Sequence, residues 1–309
     1  MPNKVFVAGH RGMVGQAIVK SAPAGIEILT SSIDLRCREK VYSYLEMTMP
    51  DVIILAAARV GGIAANSMFQ SEFLLQNLEI QNSVIGAAQE LEIPKLLFLG
   101  SSCVYPRLAL QPINEASLLT GPLEPTNEGY AIAKIAGIKM VQAIYNEKNL
   151  NYFSLMPTNL YGENDNFDEL TSHVPAALMR KFHEAKISGL SDVTVWGTGK
   201  ARREFMHVED LSNACWFMLD QNVGGDLINV GTGIEIEIAE LAQLMAKVVG
   251  YRGEISFDSS KPDGAPQKLL DLSKIHSFGW SHAIELEVGL KKTYSWLINS
   301  LERGHVRGY

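Results

Sequence analysis

The string Gly9-His-Arg-Gly-Met-Val-Gly15 follows an apolar run at residues 4–8 without a gap and opens a stretch of three- and four-residue apolar spacing at 13–21. A strand, a glycine loop and a helix in that order leave few folds open, because this is how a parallel α/β sheet receives the phosphates of a dinucleotide. Gly9 permits a tight turn, Gly12 lets the backbone approach a pyrophosphate, and Gly15 lets helix pack on strand. The helix N-terminus between them attracts the phosphates.

The rest of the first half repeats this pattern. Residues 26–30, 51–57, 95–100 and 152–156 are short, β-branched and Leu-rich without polar alternation, as strands buried on both faces are. Residues 38–47, 66–91 and 130–148 carry helical spacing. The alternation predicts a doubly wound parallel sheet, a Rossmann α/β fold, with its ligand beyond the carboxyl ends of the strands. After Pro157 the elements shorten, and 159–169 and 259–266 read as loops. Residues 204–219 read as strand then helix and 226–233 as a strand into a glycine turn, as if the chain re-entered the first domain. The expectation is a Rossmann domain of 1–160 plus about 204–233 and a smaller, discontinuous α/β substrate domain of about 161–203 plus 234–309.

Composition removes several alternatives. With 27 Lys+Arg against 34 Asp+Glu the net charge is −7, and no basic block exists to neutralise a row of phosphates, so nucleic acid is not an expected partner. The apolar runs are strand-sized, so no membrane span is expected. Cys37, Cys103 and Cys215 are too few and too scattered for a disulfide framework or a zinc site, so no metal is expected and a reducing compartment fits. The N-terminal Met-Pro-Asn-Lys enters the first strand with no charged-then-apolar signal, which places the protein in the cytoplasm.

The second strand ends in Thr30-Ser-Ser-Ile rather than in the acidic residue that binds a ribose 2′-hydroxyl in NAD enzymes. Arg11, with Arg36 as a helper, can meet a 2′-phosphate, which favours NADP(H). Tyr130 and Lys134 lie four residues apart on one helix face, so the ammonium is expected to lower the phenol's proton affinity and make Tyr130 a proton donor and acceptor. Ser101 or Ser102, at the end of the fourth strand, can share a substrate hydroxyl with Tyr130. Cys103, just beyond, reads on its own as a small buried hydrophobe.

Taken together, the glycine loop, Tyr130/Lys134, Pro157-Thr-Asn-Leu-Tyr-Gly162, Arg203-Glu-Phe-Met-His-Val-Glu-Asp210 and Asn229-Val-Gly-Thr-Gly233 resemble the extended short-chain dehydrogenase/reductase family of nucleotide-sugar enzymes. More narrowly, Ala57-Ala-Arg-Val-Gly-Gly62, Leu99-Gly-Ser-Ser-Cys-Val-Tyr-Pro106, Leu123-Glu-Pro-Thr-Asn127 and Lys261-Pro-Asp-Gly-Ala-Pro266 are similar to the GDP-4-keto-6-deoxy-D-mannose 3,5-epimerase/4-reductases of that family.

The resemblance implies NADPH-dependent 3,5-epimerisation and 4-reduction to GDP-L-fucose, and a homodimer through a four-helix bundle. It implies Tyr130, Lys134 and Ser101 for reduction, and Cys103 with His173 as the base and acid of epimerisation. Cofactor contacts fall on Gly9, His10, Arg11, Gly12, Met13, Val14, Gly15, Leu99, Gly100, Ser101, Ser102, Lys134, Pro157, Thr158, Asn159, Leu160 and His173. The GDP-sugar falls on Lys181, Trp196, Arg203, Asp263 and Lys268. Two departures stand out: Lys181 replaces an arginine, losing its bidentate fork, and no arginine accompanies Ser31 and Ser32.

Reduction of a related GDP-4-keto sugar such as a heptose fits the same strings, since pocket shape decides a substituent. A 4-epimerase or 4,6-dehydratase that keeps NAD bound is disfavoured by the absent acidic residue and by the Cys103/His173 pair. A non-catalytic NADP sensor is disfavoured by the presence of Tyr130 and Lys134.

Overall fold

A computed structural model describes residues 2–309. In the first half, β1 (Lys4–Ala8), α1 (Met13–Lys20), β2 (Glu27–Leu29), α2 (Arg38–Thr48), β3 (Val52–Leu55), α3 (Ile63–Met68), α4 (Gln70–Glu90), β4 (Lys95–Leu99), α5 (Glu128–Lys148) and β5 (Asn151–Pro157) alternate. Then follow β6 (Asn159–Tyr161), α6 (Val174–Ser188), β7 (Asp192–Trp196), β8 (Arg202–His207), α7 (Val208–Leu219), β9 (Leu227–Val230), β10 (Glu235–Glu237), α8 (Ile238–Val249), β11 (Glu254–Asp258), β12 (Gln267–Lys268), α9 (Ser273–Ser277) and α10 (Leu286–Leu301).

Six strands pair in the order β2-β1-β3-β4-β5-β9, all parallel. The four residues of β3 and the last four of β1 are all buried, as expected of strands covered by helices on both faces. Sheet growth reverses between β1 and β3, which opens a crevice beyond their carboxyl ends. Helix α7 covers the same face as α1, to which the Trp216 indole is tied through the Ile18 carbonyl at 3.1 Å.

The second half builds a smaller layer. Strand β8 pairs with β10, β12 and β6, and β7 pairs with β11. Its own apolar core gathers Phe167, Phe182, Leu241, Met245, Leu290 and Leu297 between α6, α8 and α10. Helix α6 starts with a proline in its first turn and α8 with a reciprocal Glu237/Glu240 capping box, and both end on a left-handed glycine.

Two details differ from the sequence reading. The single helix expected over 66–91 is two, broken at Phe69, whose ψ of 37° leaves the helical region. Of the stretch 204–219, only the helix and the following strand β9 return to the larger sheet, whereas the strand β8 belongs to the smaller one. Its four consecutive buried residues give it the pattern of a central strand, which periodicity cannot assign to one sheet or another.

Buried Glu204 of β8 fastens the two layers together. Its carboxylate accepts the backbone N–H groups of Thr232 and Gly233 after β9 at 2.5 and 2.8 Å, and that of Leu270 after β12 at 3.1 Å.

Candidate active site

The three glycines of the first loop meet three different steric demands. Gly9 has φ 98°, in the left-handed region, and a Cβ there would stand 2.5 Å from the Ala57 backbone nitrogen. A Cβ on Gly15 would collide with the Gly9 carbonyl oxygen, so helix and turn touch there. Gly12 differs: the one atom near its hypothetical Cβ is that same oxygen at 3.5 Å. Space is therefore left open above Gly12, where α1 begins with no side-chain cap and no acidic residue in its first turn. Free N–H groups and an uncapped positive helix end facing an open crevice fit a dinucleotide's diphosphate.

That crevice, about 610 Å³, is lined by Gly9, Arg11, Gly12, residues 33–36, residues 56–59, Gln76, Ile80 and Arg307. Arg11 is exposed at its lip. Arg36 is less free than expected, because its guanidinium grips Asp34 with two bonds of 2.9 and 2.8 Å. This pairing holds the Asp34 carboxyl down at about 2 and offsets its charge, so the first acidic residue after the second strand is already engaged. Arg307 was not legible in the sequence. It arrives because the C-terminal tail is docked, with the Phe167 N–H bonded to its carbonyl at 3.0 Å, Arg180 bonded to the Gly308 carbonyl, and Arg180 stacked on Tyr309. Beneath the tail, burial pushes the Asp165 carboxyl up to about 7, with the charge of Arg307 opposing.

The fourth strand and α5 supply the polar end of the cleft. Tyr130 lies in the first turn of α5 and Lys134 one turn on. The expected lowering of the phenol's proton affinity is not found: burial raises it, a charge on Cys103 would raise it further, and a Ser101 hydrogen bond opposes both. Burial also brings the Lys134 ammonium down to about 7. Its Nζ donates to the Leu99 carbonyl at 2.8 Å and stands 5.9 Å from the Tyr130 ring centre, so it is turned to the strand end rather than to the phenol oxygen. Of the two serines, Ser101 faces Tyr130, whereas Ser102 is 2 % exposed. Gly100 admits the Met156 side chain against its α-carbon.

Cys103 sits on the short turn after Ser101, whose hydroxyl accepts the Cys103 N–H at 3.2 Å. It is half-buried and surrounded by donors: Asn127 Nδ2 lies 3.3 Å and Lys268 Nζ 3.6 Å from Sγ. Arg203 is close enough to the same sulfur for a charge there to act on it, and donates to the Asp263 carbonyl at 3.1 Å. His173 is the residue before α6 and does not cap it; burial lowers its proton affinity. The segment leading to it is pinned to the loop after β3, with the Gly62 N–H on the Thr171 carbonyl at 3.0 Å.

Other expected contacts divide into free and engaged groups. Trp196 is 55 % exposed at the end of β7, with Lys261 Nζ 5.4 Å from its ring centre, so it is not a core aromatic. Lys181 is exposed beside it and donates to the Thr194 carbonyl at 2.7 Å. Asp263 has both oxygens on Thr198, at 2.7 and 2.8 Å, where they hold the turn after Trp196. Pro157 closes β5, Thr158 and Asn159 bond the Glu204 carbonyl at 3.2 and 2.8 Å, and Leu160 continues into β6.

A family model described as the NAD dependent epimerase/dehydratase family matches residues 5–231. The chain belongs to that family. Among curated members, GDP-L-fucose synthase of Escherichia coli is 48 % identical over 314 residues, covering 97 % of this chain and 98 % of the relative. Among solved structures, a Campylobacter jejuni GDP-6-OMe-4-keto-L-xylo-heptose reductase superposes with TM-score 0.91 at 33 % identity, covering 96 % of this chain and 98 % of that one. A Naegleria fowleri GDP-L-fucose synthetase bound to NADP superposes with TM-score 0.88 at 28 % identity, covering 98 % and 95 %. Within this family member, sequence reasoning gave no role to Asn127, Glu204 or Arg307. Asn127 ends a string already noted, but an asparagine before a helix reads as a cap. Glu204 and Arg307 act through contacts far apart in the chain.

Proposed function

We propose that this protein converts GDP-4-keto-6-deoxy-D-mannose to GDP-L-fucose by 3,5-epimerisation and NADPH-dependent 4-reduction. The observation that carries the reading is a thiol, Cys103, in the same cleft as the Tyr130 phenol, among hydrogen-bond donors. A plain 4-reductase needs the phenol alone. The 48 % identity with a GDP-L-fucose synthase, against 33 % with the heptose reductase, supports the same choice.

The C4 ketone acidifies the protons on C3 and C5. Cys103 Sγ, as thiolate, takes such a proton; the C–H electron pair becomes the C=C bond of an enolate, and the charge moves to the C4 oxygen. His173 returns a proton to the opposite face of the carbon, which inverts it; the thiol then passes its own proton to solvent and His173 takes one up from solvent. Repetition at the second carbon completes epimerisation. The loop 9–15 and the crevice it lines would hold NADPH, which when bound would supply the hydride for C4. Tyr130 is held protonated by burial, so it enters as the acid that quenches the C4 alkoxide, with Ser101 bonded to the same oxygen. Lys134 orients the end of β4 through Leu99.

The larger sheet thus holds cofactor and the smaller layer holds GDP-sugar, with Trp196 against the guanine and Lys181 and Arg203 toward the diphosphate. Exposed Leu75 on α4 and Ile132 on α5 support a homodimer paired through these helices. No helix among the described residues is long and apolar enough to cross a membrane, in keeping with the cytoplasmic site we propose. The test is NADPH consumption by purified protein on addition of GDP-4-keto-6-deoxy-D-mannose, with GDP-L-fucose as product. An unchanged NADPH signal, or a product that keeps the D-configuration, would overturn the reading.

A further inference from the structure

Cys103 needs to be a thiolate to act as a base, and a thiol has an ordinary pKa of about 8.5. The structure shows which neighbours its sulfur has. Strand β12 is two residues long, and its parallel register with β8 sets Lys268 directly beside Arg203. Two like charges side by side on one sheet face repel, and a nearby anion relieves the repulsion; Arg203 has the Asp263 and Glu124 carboxylates close by, whereas the one hydrogen bond of Lys268 Nζ among the described residues goes to Cys103. Cys103 Sγ lies 3.6 Å from Lys268 Nζ and close enough to Arg203 for a charge on the sulfur to act on it.

A third group converges from another element. Asn127 occupies the N-cap position of α5, where an asparagine normally accepts a bond from the first helical turn. Its side chain makes no cap bond here. Instead Nδ2 donates to Cys103 Sγ at 3.3 Å, leaving its Oδ1 buried without a partner. An amide forgoing a helix cap to offer N–H to a sulfur, and an ammonium on the other side, both complement S⁻ better than S–H. The remaining charged or titratable groups near the sulfur or Arg203 are the Tyr130 phenol, the Asp263 carboxylate, whose oxygens are bonded to Thr198, and the Glu124 carboxylate, which pairs with Arg107 at 3.3 Å.

We propose that Lys268, aided by Asn127, is a positioning residue that holds Cys103 as a thiolate in the free enzyme, and is not solely a contact for the GDP diphosphate. The assignment rests on the reading of Cys103 as the epimerisation base. It implies that the thiolate is ready before substrate arrives and that no separate base deprotonates it.

The experiment is the pH dependence of Cys103 alkylation by iodoacetamide, read by mass spectrometry of the peptide carrying it, in wild type, Lys268→Met, Lys268→Arg and Asn127→Ala. Wild type is expected to be alkylated faster at pH 7 than Lys268→Met or Asn127→Ala. Lys268→Met should move the midpoint up by about one unit, roughly ten-fold slower alkylation at pH 7, and Lys268→Arg should restore most of it. Asn127→Ala should move it in the same direction by less. Thiolate ultraviolet absorbance, taken against Cys103→Ser, gives the same titration without a reagent. Coincident profiles for wild type and Lys268→Met would overturn the proposal. Deuterium uptake at C3 and C5 separates the two levels: uptake with an unmoved profile rejects Lys268 alone, whereas a shifted profile without uptake rejects the base reading and leaves the thiolate site standing.

Discussion

The Lys134 ammonium donates to the Leu99 carbonyl at 2.8 Å, tying the second turn of α5 to the end of β4 with an almost fully buried cation. Burial lowers this group to about 7 from its ordinary 10.5. Between those values the unfolded chain holds a proton that the folded chain has lost, so stability rises with pH across that window. Lys134→Met removes the burden of burying the charge. It should raise the Tm of the cofactor-free protein by about 3 °C or more at pH 7, with the gain shrinking toward pH 10. Thermal melts at both pH values check this; a variant less stable at pH 7 than at pH 10, relative to wild type, would contradict it.

Tyr130→Phe keeps the ring and removes the proton. NADPH oxidation in the presence of the keto-sugar should fall by about 10²–10⁴-fold while NADPH affinity stays within about two-fold. Stopped-flow fluorescence and steady-state absorbance measure the two quantities separately. Normal turnover would remove Tyr130 from its role.

The glycine loop predicts opposite behaviour for neighbouring substitutions. Gly12→Ala places a methyl group in open space, so the apo Tm should hold while NADPH affinity drops at least about ten-fold, because the methyl occupies the diphosphate's approach. Gly15→Ala drives a methyl into the Gly9 carbonyl, so the Tm itself should fall by several degrees. Calorimetry with and without NADPH distinguishes them.

Much of this was readable from the residues because the requirements are local. The turn at Gly9, the contact at Gly15 and the four-residue spacing of Tyr130 and Lys134 each involve one short segment. The break at Phe69 carries no proline or glycine, so the periodicity of 66–91 conceals it. Strand β8 is buried like the central strands and gives no sign of its sheet. Tyr130 misled for a physical reason: burial outweighs a nearby ammonium that is turned to Leu99. The contact of Lys268 with Cys103 spans 165 residues and depends on the register of a two-residue strand, which no local pattern encodes.

Arg307 reaches the cofactor crevice only through the folded tail. Arg307→Ala should raise the Kd for NADPH about ten-fold, the size of one lost charge-assisted hydrogen bond to phosphate. Isothermal titration with NADPH and with NADH tells which phosphate is involved: an effect on both points to the diphosphate, and an effect confined to NADPH points to the 2′-phosphate. Unchanged affinity for both would exclude Arg307 from the site.

The central claim is that one cleft both inverts and reduces, and solvent deuterium tests it most directly. Protein, NADPH and GDP-4-keto-6-deoxy-D-mannose are incubated in deuterated water and the product is read by NMR, beside a Cys103→Ser sample. The account predicts an L-galacto ring carrying deuterium at C3 and C5 from wild type, and a reduced sugar without that double inversion from Cys103→Ser. Reduction by wild type with no deuterium at either carbon would contradict it, leaving a simple 4-reductase in which Cys103 is an ordinary thiol.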